Sequence, residues 1–395
     1  MNKILIFIKK IIPHKLFVML RPVYHYIINF VAALRYGFPS NELIVVGVTG
    51  TTGKTTVVYM VAQLLEYAGY HVGYTSTAMF SDGKKAWAND KKMTMLGRFF
   101  TQKMLRKMVR NGCNVAIVET TSEGVVQYRH RFINYDTMLF TGLYPEHIDS
   151  HGSFENYKKV KQKLFEHVGQ CKKKNICGFK DHKTIIVNLD DEHAPDFLRY
   201  DADRKIGFTQ QLTSDVNDPI LEEIKYKYNG ATKDGIQFVF DGENIQLQIL
   251  GKFNAMNATA AGCIGKVLGA NNKSIVKGLE KIIQLPGRIE RIDEGQDFEV
   301  IVDYAFEPVA VTKLYETVAV LEPQKIIHVL GSAGGGRDIS RRKELGNIAG
   351  EKADYVIVTN EDPYDDDPME IIIDVANGAK KKGKTEEQNL FLIEN

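Results

Sequence analysis

A turn reading Gly50-Thr51-Thr52-Gly53-Lys54-Thr55-Thr56 stands between a short apolar run (43–48) and a helical pattern that continues to about Tyr67. Glycines let backbone N–H groups curl around phosphate oxygens, and the helix that follows adds the positive end of its dipole. Lys54 can reach the β- and γ-phosphates of a nucleotide, and the Thr55 hydroxyl can ligate Mg²⁺. The usual phosphate loop has four residues between its two glycines, whereas Gly50 and Gly53 enclose two. A structural glycine turn would need neither the strand before it nor the Lys-Thr-Thr after it.

The rest of the chain continues this strand-then-helix alternation. Apolar runs at 72–75, 115–118, 137–140 and 184–187 read as buried strands, with helical spacing at 96–110 and 154–168. Strands separated by helices predict a parallel sheet covered on both faces. Residues 205–250 alternate instead and carry Asn229-Gly230, Asp234-Gly235 and Asp241-Gly242, which predicts antiparallel hairpins. A helix follows at 254–268, and Pro286-Gly287 marks a hinge. Strands at 300–302, 325–330, 355–358 and 390–393 then alternate with helices. The expectation is an α/β protein in three parts. These are a basic N-terminal segment (1–42), a central phosphate-loop domain with a small antiparallel subregion (43–285), and a smaller Rossmann-like α/β domain (286–395).

Charge excludes one class of partner. Fifty-one basic residues against 49 acidic ones leave no field suited to nucleic acid. Four cysteines, with no Cys-x-x-Cys, predict reduced thiols and a cytoplasmic protein rather than a disulfide scaffold or a zinc ribbon. The N-terminus is distinctive. No acidic residue precedes Glu42, while Lys3, Lys9, Lys10, Lys15, Arg21 and Arg35 are interleaved with apolar clusters. No stretch is long enough to span a bilayer. The segment suits a helix lying on an anionic membrane surface, or equally one packed on the protein's own body.

The loop is one of several motifs in a fixed order. Glu119-Thr120-Thr121-Ser122 and Gln127-x-Arg129 follow it, then Pro145-Glu146-His147-Ile148-Asp149-x-His151-Gly152 and Glu155-Asn156-Tyr157-x-x-x-Lys161. Asn254-x-x-Asn257, Gly287-Arg288-x-Glu290, Asp303-Tyr304-Ala305 and Gly335-Gly336-Arg337-Asp338 complete the series. Over about residues 43–395 this series resembles the Mur ligases, ATP-dependent enzymes that build the peptidoglycan stem peptide. The branch that adds the third residue is the most similar.

The resemblance implies a set of roles. Gly50 to Thr56, Asn254, Asn257, Arg288, Asp303 and Arg337 would bind ATP. Thr55, Glu119, His147 and a carbamylated Lys161 would hold Mg²⁺, with Lys54, Lys161 and His147 catalytic. Thr94, Thr121, Ser122, Gln127, Arg129, Glu361, Asp362 and Tyr364 would contact a UDP-muramoyl peptide and the incoming amino acid. The implied reaction joins that amino acid to a UDP-N-acetylmuramoyl-L-Ala-D-Glu-type substrate through an acyl phosphate, in a monomer. The chemistry suits these residues: Glu119 is a hard oxygen ligand at a strand end, and cations offset the repulsion between ATP and a carboxylate. A solvated lysine among Lys158, Lys159 and Lys163 is the plainer reading of Lys161, and a structural one is taken for His151.

Three departures qualify the resemblance. Only about 42 residues precede the central domain, so the family's UDP-binding domain is expected to be absent. Uridine recognition would then be lost, rebuilt or supplied by another chain. Where diaminopimelate-adding relatives carry an Arg, this chain has Tyr364, which offers no bidentate contact to a second carboxylate. Lysine or another amino acid stays open, and the acidic run 365–367 either faces a cationic side chain or is a solvated loop. Phe306 replaces the family's histidine, which bears on the contacts between the domains and not on the chemistry. The chain also stops soon after a strand, so the amino-acid pocket is expected to be incomplete. A Mur-like ligase of lipid-linked muramoyl substrates, a folylpolyglutamate synthetase and a non-catalytic ATP-binding scaffold are the alternatives.

Overall fold

In a computed structural model, the protein is described over residues 14–91, 93–145, 151–176, 179–180, 182–211, 218–335 and 339–394, with backbone only at 14–18 and 179–180. Helix α1 (His14–Arg35) leads through a 3₁₀ turn (Pro39–Glu42) into β1 (Ile44–Thr49), and α2 (Lys54–Tyr67) follows the glycine-rich loop. Next come β2 (Val72–Thr75), β3 (Met79–Ser81), β4 (Ala86–Ala88), α3 (Arg98–Arg110), β5 (Val115–Glu119), α4 (Ser122–Val126), β6 (Thr137–Phe140) and α5 (Phe154–Gln170). A two-residue ribbon, β7 (Asn175–Ile176) with β8 (Phe179–Lys180), precedes β9 (Thr184–Asn188), α6 (Ala194–Leu198) and β10 (Arg204–Thr209).

The large sheet then gains β11 (Leu221–Thr232), β12 (Gly235–Phe240) and β13 (Glu243–Leu247), in the order β13-β12-β11-β10-β9-β6-β1-β5-β2-β3-β4. Every residue of β1 is buried, as expected of a parallel strand covered on both faces. One face packs on α2, α7 (Phe253–Val267) and α8 (Asn272–Glu280), through residues such as Val57, Val61, Ala258 and Ile275. The other packs on α3 and α5 through Leu105, Met108, Leu164 and Phe165. Because β1 lies between β5 and β6, the chain reverses direction of winding at β1, and the loop after it opens at the carboxyl edge of the sheet. Parallel pairing of Val48 with Glu119 and Thr49 with Phe140 ends three strands at one level.

Two expectations for residues 205–250 are corrected. Strand β10 pairs parallel with both β9 and β11, so antiparallel pairing begins only with β11–β12. Asn229-Gly230 is not a turn but an irregularity within β11, where the register shifts between Tyr228 and Gly230. The extra residue lets β11 run long, its first half serving the parallel sheet and its second the hairpin.

After Gly287 a ribbon forms from β14 (Glu290–Ile292) and β15 (Val300–Val302), rather than the strand of a larger sheet expected at 300–302. The C-terminal unit is a parallel sheet of β16 (Ile327–Leu330), β17 (Tyr355–Thr359) and β18 (Leu390–Ile393). Helices α9 (Pro308–Ala319), α10 (Ile339–Lys352) and α11 (Pro368–Lys381) pack with it around Val356, Val358, Leu345 and Val375.

Helix α1 packs on the protein's own body along one side and leaves an apolar side exposed. His25, Asn29, Ala32 and Ala33 are buried against the body, while Met19, Val23, Ile27 and Leu34 are 54–66% exposed. Asn29 donates to the Gln127 carbonyl (2.9 Å), Tyr26 and Phe30 pack edge-on against Phe132, and Arg106 of α3 donates to the Tyr36 and Gly37 carbonyls. No described helix is long and apolar enough to cross a membrane.

Candidate active site

The loop depends on its two glycines. Gly50 (φ 149°) and Gly53 (φ 79°) adopt backbone conformations that other residues rarely reach. A Cβ at Gly50 would sit 2.0 Å from Thr141 Oγ1, and one at Gly53 would sit 2.5 Å from Asn257 Oδ1. The loop is tied to β6, with Thr51 N–H donating to the Gly142 carbonyl (2.8 Å) and the Thr141 hydroxyl to the Thr52 carbonyl (2.6 Å). Lys54 turns its ammonium back over the loop, donating to the carbonyls of Gly50 (3.1 Å) and Thr51 (2.7 Å).

Two charged side chains converge on this loop from other elements. Glu119, 1% exposed at the end of β5, accepts from the Thr55 hydroxyl (3.0 and 3.1 Å), from Thr77 N–H (2.7 Å) and from the Thr77 hydroxyl (2.9 Å). Thr94 extends the chain, its hydroxyl 2.8 Å from that of Thr77. Lys161 of α5 is 2% exposed, donates to the Gly50 carbonyl (2.8 Å) and lies 4.7 Å from the centre of the Tyr157 ring. The Tyr157 hydroxyl is 3.3 Å from Thr51 Oγ1. The plainer reading of Lys161 as a solvated helix lysine is therefore overturned. Its neighbour Lys158 faces the other way and pairs with Glu155 and Asp196.

A cleft opens between the loop and the second domain, with Thr52, Gly53, Asn254, Asn257, Tyr304 and Phe306 among its lining residues. Asn254 donates to the Leu250 carbonyl (2.7 Å), and Asn257 donates to Asn254 Oδ1 (2.9 Å). This leaves the buried Asn257 Oδ1 without a donor, facing the loop glycine. From across the hinge, Arg288 donates to the Thr55 hydroxyl (3.3 Å) and stacks 4.7 Å from the Tyr304 ring. Asp303 fixes that arm by accepting from Ile289 N–H and Ala305 N–H, each at 2.7 Å. Burial raises the Asp303 pKa, against the pull of those bonds and of Arg288. The Tyr144 hydroxyl donates to Glu307, a second bond between the domains.

The predicted substrate residues form a neighbouring cluster. Thr121 caps α4 by accepting from Gly124 N–H (3.2 Å), and Ser122 meets His151 Nε2 (3.0 Å). Arg129 donates to Gln127 Oε1 (2.7 Å) and to the Met95 carbonyl. Glu361, Asp362 and Tyr364 belong to a different cluster in the C-terminal domain. There Gly334 N–H donates to the Asp362 carbonyl (2.9 Å), and Tyr364, 48% exposed at φ 55°, packs on Gly335. Much of the acidic run beside them is structural. Asp366 accepts from Gly335 N–H (2.9 Å) and pairs with the buried Arg342, and Asp367 caps α11 through Met369 N–H. Phe306 carries Arg341 over its ring. His147 and Arg337 lie outside the described residues.

Sequence reasoning missed Thr77, which grips Glu119, and assigned His151 no part beside Ser122. Thr77 follows the carboxyl end of β2, where sites of open parallel sheets gather, and that position was its available signal.

A shortened phosphate loop at the sheet's reversal point, with a buried carboxylate and a buried lysine on it and a second α/β domain reaching its threonine, defines a two-domain nucleotide-dependent ligase. Residues 48–265 match the Mur ligase middle domain and residues 287–394 the Mur ligase glutamate ligase domain. UDP-N-acetylmuramyl-tripeptide synthetase of Roseiflexus sp. is 36% identical over 362 residues, 89% of this chain and 69% of that protein. The Bacillus cereus UDP-N-acetylmuramoyl-L-alanyl-D-glutamate–2,6-diaminopimelate ligase is 28% identical over 88% of this chain and 68% of its own length. Folylpolyglutamate synthase of Mycobacterium tuberculosis shares the fold (TM-score 0.68, 15% identity, 93% of this chain and 85% of that one). The chain belongs to the Mur ligase family, the ATP-dependent ligases of peptidoglycan precursor synthesis.

Proposed function

We propose that this chain joins the amine of an amino acid to a carboxylate of a UDP-N-acetylmuramoyl-L-Ala-D-Glu-type substrate, converting ATP to ADP and phosphate. The carboxylate oxygen attacks the γ-phosphorus as the bond to the β-phosphate oxygen breaks. The amine nitrogen then attacks the acyl carbon, phosphate leaves, and the nitrogen gives up a proton. Lys54 and the loop N–H groups hold the phosphates, so that positioning and electrostatics carry the first step. Asn257 Oδ1, a buried acceptor lacking a donor, suits the exocyclic amine of adenine.

Mg²⁺ fits the donors here, because a buried carboxylate and a hydroxyl, Glu119 and Thr55, are hard oxygen ligands at the loop. His147 and a carbamylated Lys161 complete the proposed set. Bound there, the cation would neutralise charge developing on the phosphoryl oxygens. Arg288, Asp303 and Arg337 act from the second domain as it closes about Gly287. Thr94, Thr121, Ser122, Gln127 and Arg129 take the muramoyl peptide, and Glu361, Asp362 and Tyr364 the amino acid.

The observation that carries this reading is the convergence of Glu119 on Thr55 at the head of α2. Its test is Mg²⁺-dependent phosphate release with UDP-N-acetylmuramoyl-L-Ala-D-Glu and a panel of amino acids, with Lys54→Ala as control. Release is expected only with the peptide and one amino acid together. ATP binding without release across the panel would sink the reading in favour of a lipid-linked substrate or a scaffold. One observation favours a peripheral position at the cytoplasmic membrane face, and with it a lipid-linked muramoyl substrate as second reading. That observation is the exposed apolar face of α1 beside a wholly basic N-terminus.

A further inference from the structure

Helix α1 brings an imidazole, His25, and one cation, Arg21, to the edge of the proposed muramoyl site, where they meet Arg98 of α3. Arg98, at the start of α3, is hydrogen-bonded to His25 Nδ1, and Arg21 reaches His25 Nε2 from the other side (3.4 Å). Arg98 also points a guanidinium nitrogen at Gln127 Oε1 (3.5 Å), the same oxygen that accepts from Arg129 (2.7 Å). Two guanidinium groups thus share one neutral acceptor. Among the described residues neither pairs with a carboxylate, and the buried Nε donors of both have no acceptor. Burial, then Arg98, Arg21 and Arg129, push the His25 pKa down to about 4, and burial followed by Arg98 pulls Arg129 down to about 10. Partly desolvated like charges with idle donors are unfavourable until an anion joins them.

The cluster is also connected to the phosphate loop. From Thr55 a chain of contacts runs through Glu119, Thr77 and Thr94 to Met95, whose carbonyl accepts from Arg129, and on through Gln127 to Arg98 and His25. A substrate with its reacting carboxylate at the phosphate loop would extend its far end along this chain. Resting on the reading above, we infer that Arg98, Arg129 and His25 form the subsite for the diphosphate that carries the muramoyl peptide, with α1 as one wall. Planar guanidinium forks match phosphate oxygens in pairs. Two carriers share this chemistry, a nucleoside diphosphate and a prenyl diphosphate.

Equilibrium binding separates this subsite from the rest of the reaction. The probes are N-acetylmuramoyl-L-Ala-D-Glu 1-diphosphate and the same compound without its diphosphate, titrated into the full chain. Wild type should prefer the diphosphate, and Arg98→Gln should weaken that ligand at least about tenfold while leaving the other unchanged. Arg98→Lys, which keeps the charge and loses the fork, should recover part of the loss. Equal binding of both probes by wild type, or an equal change for both in Arg98→Gln, overturns the inference. UDP-capped and prenyl-capped forms, the second in phosphatidylcholine vesicles, identify the carrier by the tighter binding, and if neither exceeds the dephosphorylated compound the inference fails. Failure of the ligase reading would show differently, as intact diphosphate binding with no phosphate release for any amino acid.

Discussion

The Nζ of Lys161 lies 2.8 Å from the carbonyl oxygen of Gly50, across 111 residues of sequence. The loop is thus roofed by an amine from a helix on the opposite side of the sheet from α2. Buried among the loop, Tyr157 and Thr51, this amine sits where a charge can act on phosphate. Lys161→Met keeps the stem and removes the charge, and Lys54 still serves the Gly50 carbonyl. Phosphate release should fall on the order of 10²–10³-fold with the melting curve little changed. If the amine reacts with CO₂, intact-mass measurement in bicarbonate buffer will show one added CO₂, and activity will rise with bicarbonate. An unmodified mass at full activity would remove the carbamate from the mechanism.

Glu119 accepts three donors from Thr55 and Thr77. Glu119→Gln preserves shape but turns an amide NH₂ toward hydroxyl and N–H groups, and removes the carboxylate charge at that strand end. Mg²⁺ should then be needed at higher concentration, with kcat lower by on the order of 10²–10³-fold. A Mg²⁺ titration of phosphate release checks this. An unchanged Mg²⁺ midpoint would mean that the carboxylate only orients Thr55.

Two glycines of positive φ should respond differently to the same substitution. At Gly53 a methyl group would meet Asn257 Oδ1 at 2.5 Å, whereas at Gly287 (φ 64°) nothing lies within 4 Å. Gly53→Ala should abolish ATP binding by calorimetry. Gly287→Ala should bind ATP normally and lose about 1 kcal/mol of stability from backbone strain alone. Equal effects at both positions would contradict the crowding argument.

Much of this was legible in the sequence because it is local. The glycine loop, the buried strand runs and the order of motifs are short-range patterns, and α2, α5 and α7 lie within a residue or two of their expected bounds. What was not legible depends on pairing between distant segments. Alternation in 221–232 is the same whether a strand's neighbour is parallel or antiparallel, so the parallel contact of β10 with β11 left no mark. Asn229-Gly230 has turn chemistry that the long strand overrides. Lys161 stands among solvated lysines, and only the packing of α5 on the sheet buries it. His25 and Arg98 meet through the docking of α1, which no local pattern encodes.

Four imidazoles, those of His25, His130, His167 and His328, have lowered pKa values, burial being the largest cause in each. Unfolded histidine titrates near 6.5, so the unfolded chain binds more protons below that value. For His25 and His328 the resulting contribution to stability is complete above about pH 6.5 and lost as the pH falls toward about 4, and His130 and His167 act in the same direction. Urea unfolding at pH values from about 7 to about 4.5 should show this decline. His25→Gln removes one contributor, so the advantage of wild type over the variant should shrink as pH falls. A pH-independent difference would mean that His25 has the same pKa in the folded and the unfolded chain.

The outer face of α1 supplies the last prediction. Met19, Val23, Ile27 and Leu34 follow helical spacing on one exposed stripe, opposite the buried His25 and Ala32. A solvated stripe of this kind is costly unless something apolar covers it. Charge selects the cover: the chain has no acid before Glu42 but carries Lys3, Lys9, Lys10, Lys15, Arg21 and Arg35, and each basic residue near an anionic surface adds about 1 kcal/mol. The full chain should therefore sediment with phosphatidylglycerol vesicles and less with phosphatidylcholine ones. Raising salt should weaken the association as charges are screened. Ile27→Glu, on the exposed stripe, should release the protein while its melting temperature stays near that of wild type. Retention of Ile27→Glu on the vesicles, or wild-type binding indifferent to lipid charge, would instead favour a protein surface as the partner of α1.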